Sequence, residues 1–174
     1  MARRPRTSNI AIDLGQGGVA AIKVRRGAPM AVLNSLLVQR PAEVSFDDPE
    51  SFGRWLGEHL TASGIGRGAA TFVLDRNAVS IRQLDLPSTD PSELVEMVRL
   101  ALERELPIDT EGAAIDFVPL DTQENSTRVQ AVAVPRVELD RIAAIASAAG
   151  VTVRSVTLRC LGAANVVTQS RGFD

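Results

Sequence analysis

The stretch Asn9-Ile10-Ala11-Ile12-Asp13-Leu14-Gly15-Gln16-Gly17-Gly18-Val19-Ala20-Ala21-Ile22-Lys23-Val24 decides how this chain is read. Two apolar runs flank a tight glycine-rich turn, and a single aspartate stands at the end of the first run. Glycine lets the backbone turn closely, and the N–H groups of such a turn can face an anion such as phosphate. A carboxylate beside the turn, here Asp13, can hold a hydrated magnesium ion near those phosphates. On this reading Gly15, Gln16, Gly17 and Gly18 form the phosphate-binding turn and Lys23 supplies a further phosphate contact. A second reading stands beside it: an ordinary β-hairpin with a glycine turn, Asp13 a strand-end residue and Lys23 an exposed strand lysine.

Outward from that hairpin, Ile10–Leu14, Val19–Arg25 and Met30–Gln39 read as three consecutive strands. Asp48-Pro49-Glu50 starts a helix, with Asp48 as N-cap and Pro49 at the first helical position. Phe52, Trp55, Leu56, His59 and Leu60 share one face at helical spacing, and Gly64 stops the helix. Ala69–Asp75 is a short apolar strand. Val79–Leu84 is a strand in which Val79, Ile81 and Gln83 alternate with Ser80, Arg82 and Leu84. Asp90-Pro91-Ser92-Glu93 carries a capping signal for a helix that ends before Pro107. Ala113–Pro119 and Arg128–Val134 read as strands around a polar loop, Asp121–Thr127. A helix from Arg136 to Ala149, a strand over Val151–Val156 and a small-residue helix over Leu158–Gln169 complete the chain.

Removing the segment from Val79 to Val134 leaves the order βββαβ-αβα, an antiparallel meander extended by parallel strands through crossovers. This predicts an α/β protein with a ribonuclease-H-like mixed sheet, carrying a small inserted α+β (βαββ) subdomain. The expected divisions are residues 1–77 for the first part of the main subdomain, 78–134 for the insertion and 135–174 for the return segment.

Composition narrows the function classes. The chain has 174 residues, enough for one sizeable domain or two small packed subdomains, and 45% are apolar, ample for a core. A net charge of −2 and a pI near 5.5 argue against nucleic-acid binding by general electrostatics. Tyrosine is absent and Trp55 is the only tryptophan, which argues against a stacking platform for single strands. Arg3, Arg4 and Arg6 form a basic leader with no apolar signal-peptide core after them, and no apolar run approaches the length of a bilayer span. The chain therefore reads as soluble and intracellular. One cysteine, Cys160, excludes an internal disulfide and any cysteine-based zinc site, and it reads as a small buried residue. One histidine, His59 beside Trp55, builds no nucleophilic triad.

Four segments give the chain its resemblance to a family. Ile10-Ala11-Ile12-Asp13-Leu14-Gly15 with Val19 and Lys23 is the first, and Arg82-Gln83-Leu84-Asp85-Leu86-Pro87 the second. Glu103-Arg104-Glu105-Leu106-Pro107 with Ile115-Asp116-Phe117 is the third. Val132-Ala133-Val134-Pro135-Arg136, leading to Ala148-Ala149-Gly150-Val151, is the fourth. In their order and spacing they resemble the PilM family, actin-like cytoplasmic proteins of type IV pilus assembly, and more distantly the cell-division protein FtsA. The resemblance covers roughly residues 8–168. It implies an actin-like fold of the ATPase superfamily, with Asp13 to Gly18 as its first phosphate loop.

Two departures qualify what the resemblance implies. The family carries small hydroxyl residues after Asp-x-Gly, whereas this chain has Gln16, Gly17 and Gly18, so hydroxyl contacts to phosphate are lost and only backbone contacts remain. The sequence also stops where the second lobe, with its second phosphate loop and adenosine pocket, should begin. The expectation is thus no cofactor in this form: either the chain is the N-terminal part of a longer protein that holds Mg-ATP, with Asp13 near its magnesium, or nucleotide binding has been dispensed with.

The leading functional expectation is a non-catalytic scaffold of a pilus or related secretion machine. It would lie at the cytoplasmic face of the inner membrane and hold the cytoplasmic tail of a PilN-like membrane protein, as the resemblance implies. An exposed strand edge can add such a peptide through backbone hydrogen bonds. Val79, Ser80, Ile81, Arg82, Gln83 and Leu84 form the candidate edge, and the peptide is expected in the groove between the main subdomain and the inserted one. Edge strands also permit self-association. The alternatives are an ATP-binding actin-like or sugar-kinase-like enzyme seen as its first lobe, and a ribonuclease-H-like nuclease using Asp13, Asp75 and Asp116 as paired-metal carboxylates.

Overall fold

The computed structural model describes residues 8–15, 17–25, 30–106 and 112–160. Strands β1 (Ser8–Leu14), β2 (Gly18–Arg25) and β3 (Ala31–Gln39) form the expected antiparallel meander. Helix α1 (Pro49–Ala62) carries the chain across to β4 (Ala69–Leu74), which lies parallel beside β1. A single 3-10 turn, Arg76–Ala78, follows β4. Late in the chain α3 (Arg136–Ala149) leads to β8 (Thr152–Leu158), parallel beside β4. The sheet order is β3-β2-β1-β4-β8, the mixed sheet that the sequence order predicts. The chain divides into two compact units, one of Met1–Asp75 with Asp140–Asp174 and one of Arg76–Leu139.

In the first unit, alternation fixes which face is buried. Ile10, Ile12 and Leu14 point to one side of β1, and their partners Val19 and Ala21 on β2 and Ala70 and Phe72 on β4 point the same way. Against that face α1 lays Phe52, Leu56 and Leu60, all 1% exposed or less. Burying side chains of this size is worth about 1.5–3 kcal/mol each. The Asp48 carboxylate accepts the Ser51 N–H at 3.0 Å to start α1, and Gly64, with φ +75°, follows its end. His59 packs its ring on Trp55 and bonds the Trp55 carbonyl through Nδ1 at 2.8 Å.

A feature the sequence reading did not single out is the pair Gly53 and Gly57, one turn apart on α1. A Cβ at Gly53 would lie 2.5 Å from both the Ala148 Cβ and the Ile145 carbonyl oxygen of α3, and one at Gly57 would lie 3.0 Å from the Ala149 carbonyl oxygen. The two helices approach so closely that their contact is backbone against small side chains.

The second unit is built from β5 (Ser80–Leu86), α2 (Pro91–Glu105), β6 (Ala114–Gln123) and β7 (Ser126–Val134), with strand order β5-β7-β6. Its own core joins Leu84 and Leu86 of β5, Leu94, Val98 and Leu102 of α2, and Val129, Ala131 and Ala133 of β7. The buried Thr127 hydroxyl donates to the Ser88 carbonyl at 2.8 Å, tying the start of β7 to the turn before α2. The Asp90 carboxylate caps α2 by accepting the Ser92 N–H at 2.8 Å and the Ser92 hydroxyl at 2.6 Å.

Three expectations on local structure change. The loop expected over Asp121–Thr127 is instead a tight hairpin, with β6 running to Gln123 and β7 starting at Ser126. Its polar residues read as loop because β6 is exposed for most of its length, so no apolar alternation marks it. A register shift between Pro119 and Asp121 accommodates an extra residue. Val79 lies before β5 rather than on it, and the strand extends to Leu86, so that Leu84 and Leu86 face the core while Gln83 and Asp85 face out. The helix expected over Leu158–Gln169 starts at Arg159, and its remainder lies outside the described residues.

Gly53→Ala should lower stability by about 1–3 kcal/mol through overpacking, overriding the roughly 1 kcal/mol by which alanine favours a helix over glycine. A rise in the urea midpoint would show that α1 and α3 have room to separate. Asp90 supplies a pH-dependent test. The Ser92 hydroxyl bond, followed by the Ser92 N–H, holds the Asp90 carboxyl below its ordinary value. A depressed carboxylate contributes stability above its unfolded value of about 3.9, and that contribution is lost as pH falls toward the lower folded value. Asp90→Asn keeps a good cap but cannot titrate, so urea midpoints from pH 5 to about pH 2 should fall less steeply than those of the wild type.

Candidate functional site

Parallel strands leave their C-terminal ends at one edge of a sheet, and in open α/β sheets that edge is where ligands bind. Here β1, β4 and β8 run parallel, with Asp13 level with Val73 and Leu74 level with Leu158. The residues at or just past those strand ends are Asp13, Asp75 and Arg159, and the fold brings all three together. The Arg159 guanidinium donates through Nη2 to Asp13 Oδ1 at 2.7 Å and through Nε to Asp13 Oδ2 at 2.9 Å, a two-pronged pair. Its Nη1 donates to Asp75 Oδ2 at 2.7 Å. The Asp13 bond is the main reason that the Arg159 pKa rises further above its already high ordinary value; burial opposes the rise, and the charges of Asp13 and Asp75 add to it. The cluster is partly open to water, with side-chain exposures of 42% for Arg159, 31% for Asp13 and 30% for Asp75.

The glycine turn beside Asp13 closes on itself. The Gly15 N–H donates to the Gly18 carbonyl at 2.9 Å, and the Gly18 N–H returns to the Gly15 carbonyl at 3.4 Å. The Arg40 N–H donates to the Gly17 carbonyl at 3.1 Å, fastening the turn to the end of β3. Gly18 is needed for a steric reason: a Cβ there would stand 2.3 Å from the Val38 carbonyl oxygen of the neighbouring strand. A Cβ at Gly15 would meet the Gly18 carbonyl oxygen at 3.0 Å and Arg159 Nη2 at 3.6 Å, so the guanidinium lies against the turn. Gln16 lies outside the described residues.

Lys23 is placed elsewhere. It pairs with Ile10 at the far end of the β1–β2 hairpin, on the face opposite to that of Asp13. Its ammonium donates to the Ile65 carbonyl at 2.8 Å, while Asn34, its partner on β3, donates to the Ser63 carbonyl at 3.1 Å. The two side chains thus hold the chain that leaves α1 rather than the turn. Asp116 stands on β6 in the second unit and accepts the N–H of its neighbour Phe117 at 2.9 Å. Among the described residues no group of three or more His, Cys, Asp or Glu is placed to hold a metal ion. Cys160, expected to be buried, is exposed: it lies past the end of β8, whose last residue, Leu158, enters the core.

Arg159 is the residue that sequence reasoning missed. Its signal was position: like Asp13 and Asp75 it stands where an apolar strand ends, but only the strand order shows that the three ends are neighbours.

Strand β5 bonds only to β7 within its sheet, so among the described residues of that unit it is an edge strand. Ser80, Ile81 and Arg82 are half-buried and Gln83 is exposed. Arg82 reaches to within 3.9 Å of the Glu105 carboxylate at the end of α2.

Comparison with solved structures places this architecture. The chain superposes on a chain of the PilM-PilN type IV pilus biogenesis complex with a TM-score of 0.83 at 20% identity, covering 95% of this chain and 52% of that one. It also superposes on the cytoplasmic domain of EpsL, an inner-membrane component of the type II secretion system of Vibrio cholerae, with a TM-score of 0.58 at 14% identity. That match covers 87% of this chain and 57% of the EpsL domain. The fold is the actin-like one of PilM and EpsL, and the chain spans about half the length of each of these two solved chains. No family model matches the sequence, and no curated protein sequence matches it. Among the described residues no helix is long and apolar enough to cross a membrane.

Gly18→Ala should cost about 3 kcal/mol or slightly more, since the clash is with a backbone carbonyl in a paired strand and not with a flexible side chain. Equilibrium unfolding measures this, and a loss under about 0.5 kcal/mol would show that β3 can retreat. Arg159→Ala should cost about 1 kcal/mol in low salt and less in 1 M NaCl, as expected for a partly exposed ion pair.

Proposed function

We propose that this chain is a non-catalytic scaffold of a pilus or related secretion machine, working at the cytoplasmic face of the inner membrane. It captures an extended segment of a membrane-anchored partner along the open edge of β5. The observation that carries this reading is the edge itself: β5 bonds to β7 on one side, and α2 packs Leu94, Val98 and Leu102 onto the inward side chains Leu84 and Leu86. An added strand therefore meets backbone groups already held in place, and it pays no cost for ordering its receptor. Gln83 and the aliphatic parts of Ile81 and Arg82 supply the side-chain contacts that select a sequence.

The solved chain that this one resembles at a TM-score of 0.83 belongs to a complex of PilM with PilN. That supports a PilN-like cytoplasmic tail as the partner. The resemblance to EpsL supports a related secretion machine equally well, since the fold is common to both.

Titrating the chain calorimetrically with a peptide from the cytoplasmic tail of a PilN-like protein encoded nearby should give saturable binding. Amide hydrogen exchange in the complex should slow over residues 80–86. Binding with protection confined to another strand would move the partner site off β5, and no binding at millimolar peptide would remove the scaffold reading for this tail.

A further inference from the structure

An actin-like fold implies a magnesium nucleotide at the turn after its first strand, and among the described residues Asp13, Gly15, Gly18 and Lys23 do not fit one. Both oxygens of Asp13 are taken by the two-pronged Arg159 pair at 2.7 and 2.9 Å. The N–H groups of Gly15 and Gly18 are spent on each other's carbonyls. Lys23 is bonded to the Ile65 carbonyl on the other face of the sheet. A divalent cation approaching Asp13 would meet a guanidinium of like charge, held within hydrogen-bond distance of both Asp13 and Asp75. A polyphosphate would meet two carboxylates and one guanidinium, a net charge of about −1.

We propose that Arg159 is a built-in substitute for the metal. Its guanidinium neutralises Asp13 and Asp75 and ties the C-terminal ends of β1, β4 and β8 together by covalent attachment to the last of them. The chain thereby keeps the architecture of a nucleotide-binding lobe without depending on nucleotide. Three of the five guanidinium N–H groups are directed at the two carboxylates, a geometry that a lysine could not reproduce. This goes beyond the scaffold reading, and it holds or fails whether or not a peptide binds β5.

The test titrates the full chain with Mn²⁺, followed by the electron paramagnetic resonance of the free ion, and with Mg-ATP by calorimetry. Wild type should bind neither at millimolar concentration. Arg159→Gln removes the guanidinium from both carboxylates and should gain Mn²⁺ affinity by at least about tenfold; adding Asp13→Asn should abolish that gain. Wild type that binds Mg-ATP, with a loss of about tenfold in Asp13→Asn, would overturn the proposal. So would an Arg159→Gln protein that stays folded by circular dichroism and gains no Mn²⁺ affinity. Should that variant unfold, the Arg159 Nε proton of wild type decides by nuclear magnetic resonance. A slowly exchanging signal that Asp13→Asn removes and Mg-ATP leaves in place supports the substitution, and a signal displaced by Mg-ATP overturns it.

Discussion

The parallel pairing of β1 with β4 is the constraint on which the first unit rests. It sets Ile10 beside Ala70 and Ile12 beside Phe72, so that two strands distant in sequence present one apolar face. That face gives α1 somewhere to bury Phe52, Leu56 and Leu60, and it makes the α1 crossover the only economical connection. Once β1 and β4 are level, β8 adds to the free side of β4 in the same direction. The C-terminal ends of three strands then meet, and with them Asp13, Asp75 and Arg159. A slip of one residue in this register would turn the apolar residues of β1 out of the core and Asp13 into it.

Close backbone approach is the second recurring device. Gly18 lets β3 lie against the start of β2, and Gly53 and Gly57 let α3 lie against α1. Each glycine loses more conformational entropy on folding than alanine would, and each position offsets that cost with contacts that a Cβ would prevent. Gly15 and Gly18 of the opening turn are thus explained by hairpin closure and packing, whereas a Cβ at Gly17 would meet nothing within 4 Å.

Electrostatics at the strand ends follows the same economy. Two carboxylates brought to one edge would repel each other, and the fold supplies the compensating charge from the third strand. The second unit carries a separate core around Val98, Leu102 and Val129, built largely from local strand pairing and one helix. Its edge strand β5 is stiffened by that core. The two units thus differ in kind: the first holds a charge cluster satisfied from within, and the second has a strand, β5, that among its described residues bonds within its sheet on one side only.

Much of this was legible in the sequence because the signals are local. The alternation of Ile10, Ile12 and Leu14, the cap at Asp48-Pro49 and the cap at Asp90-Pro91 each act within a few residues, and the element order follows from them. The order in turn predicted the mixed sheet and its inserted βαββ unit. Strands β6 and β7 were both read, but the tight turn between them and the last residues of β6 escaped, because that exposed strand has no buried face to impose a pattern. The charge cluster escaped for a deeper reason. Asp13 and Arg159 are 146 residues apart, and nothing in either neighbourhood refers to the other. The sequence by itself determined the order of strands and helices and, where an element has a buried face, which side of it is apolar. Only the tertiary structure decided which strand ends are neighbours, because that depends on the parallel register of β1, β4 and β8, a contact between distant segments that no local pattern encodes.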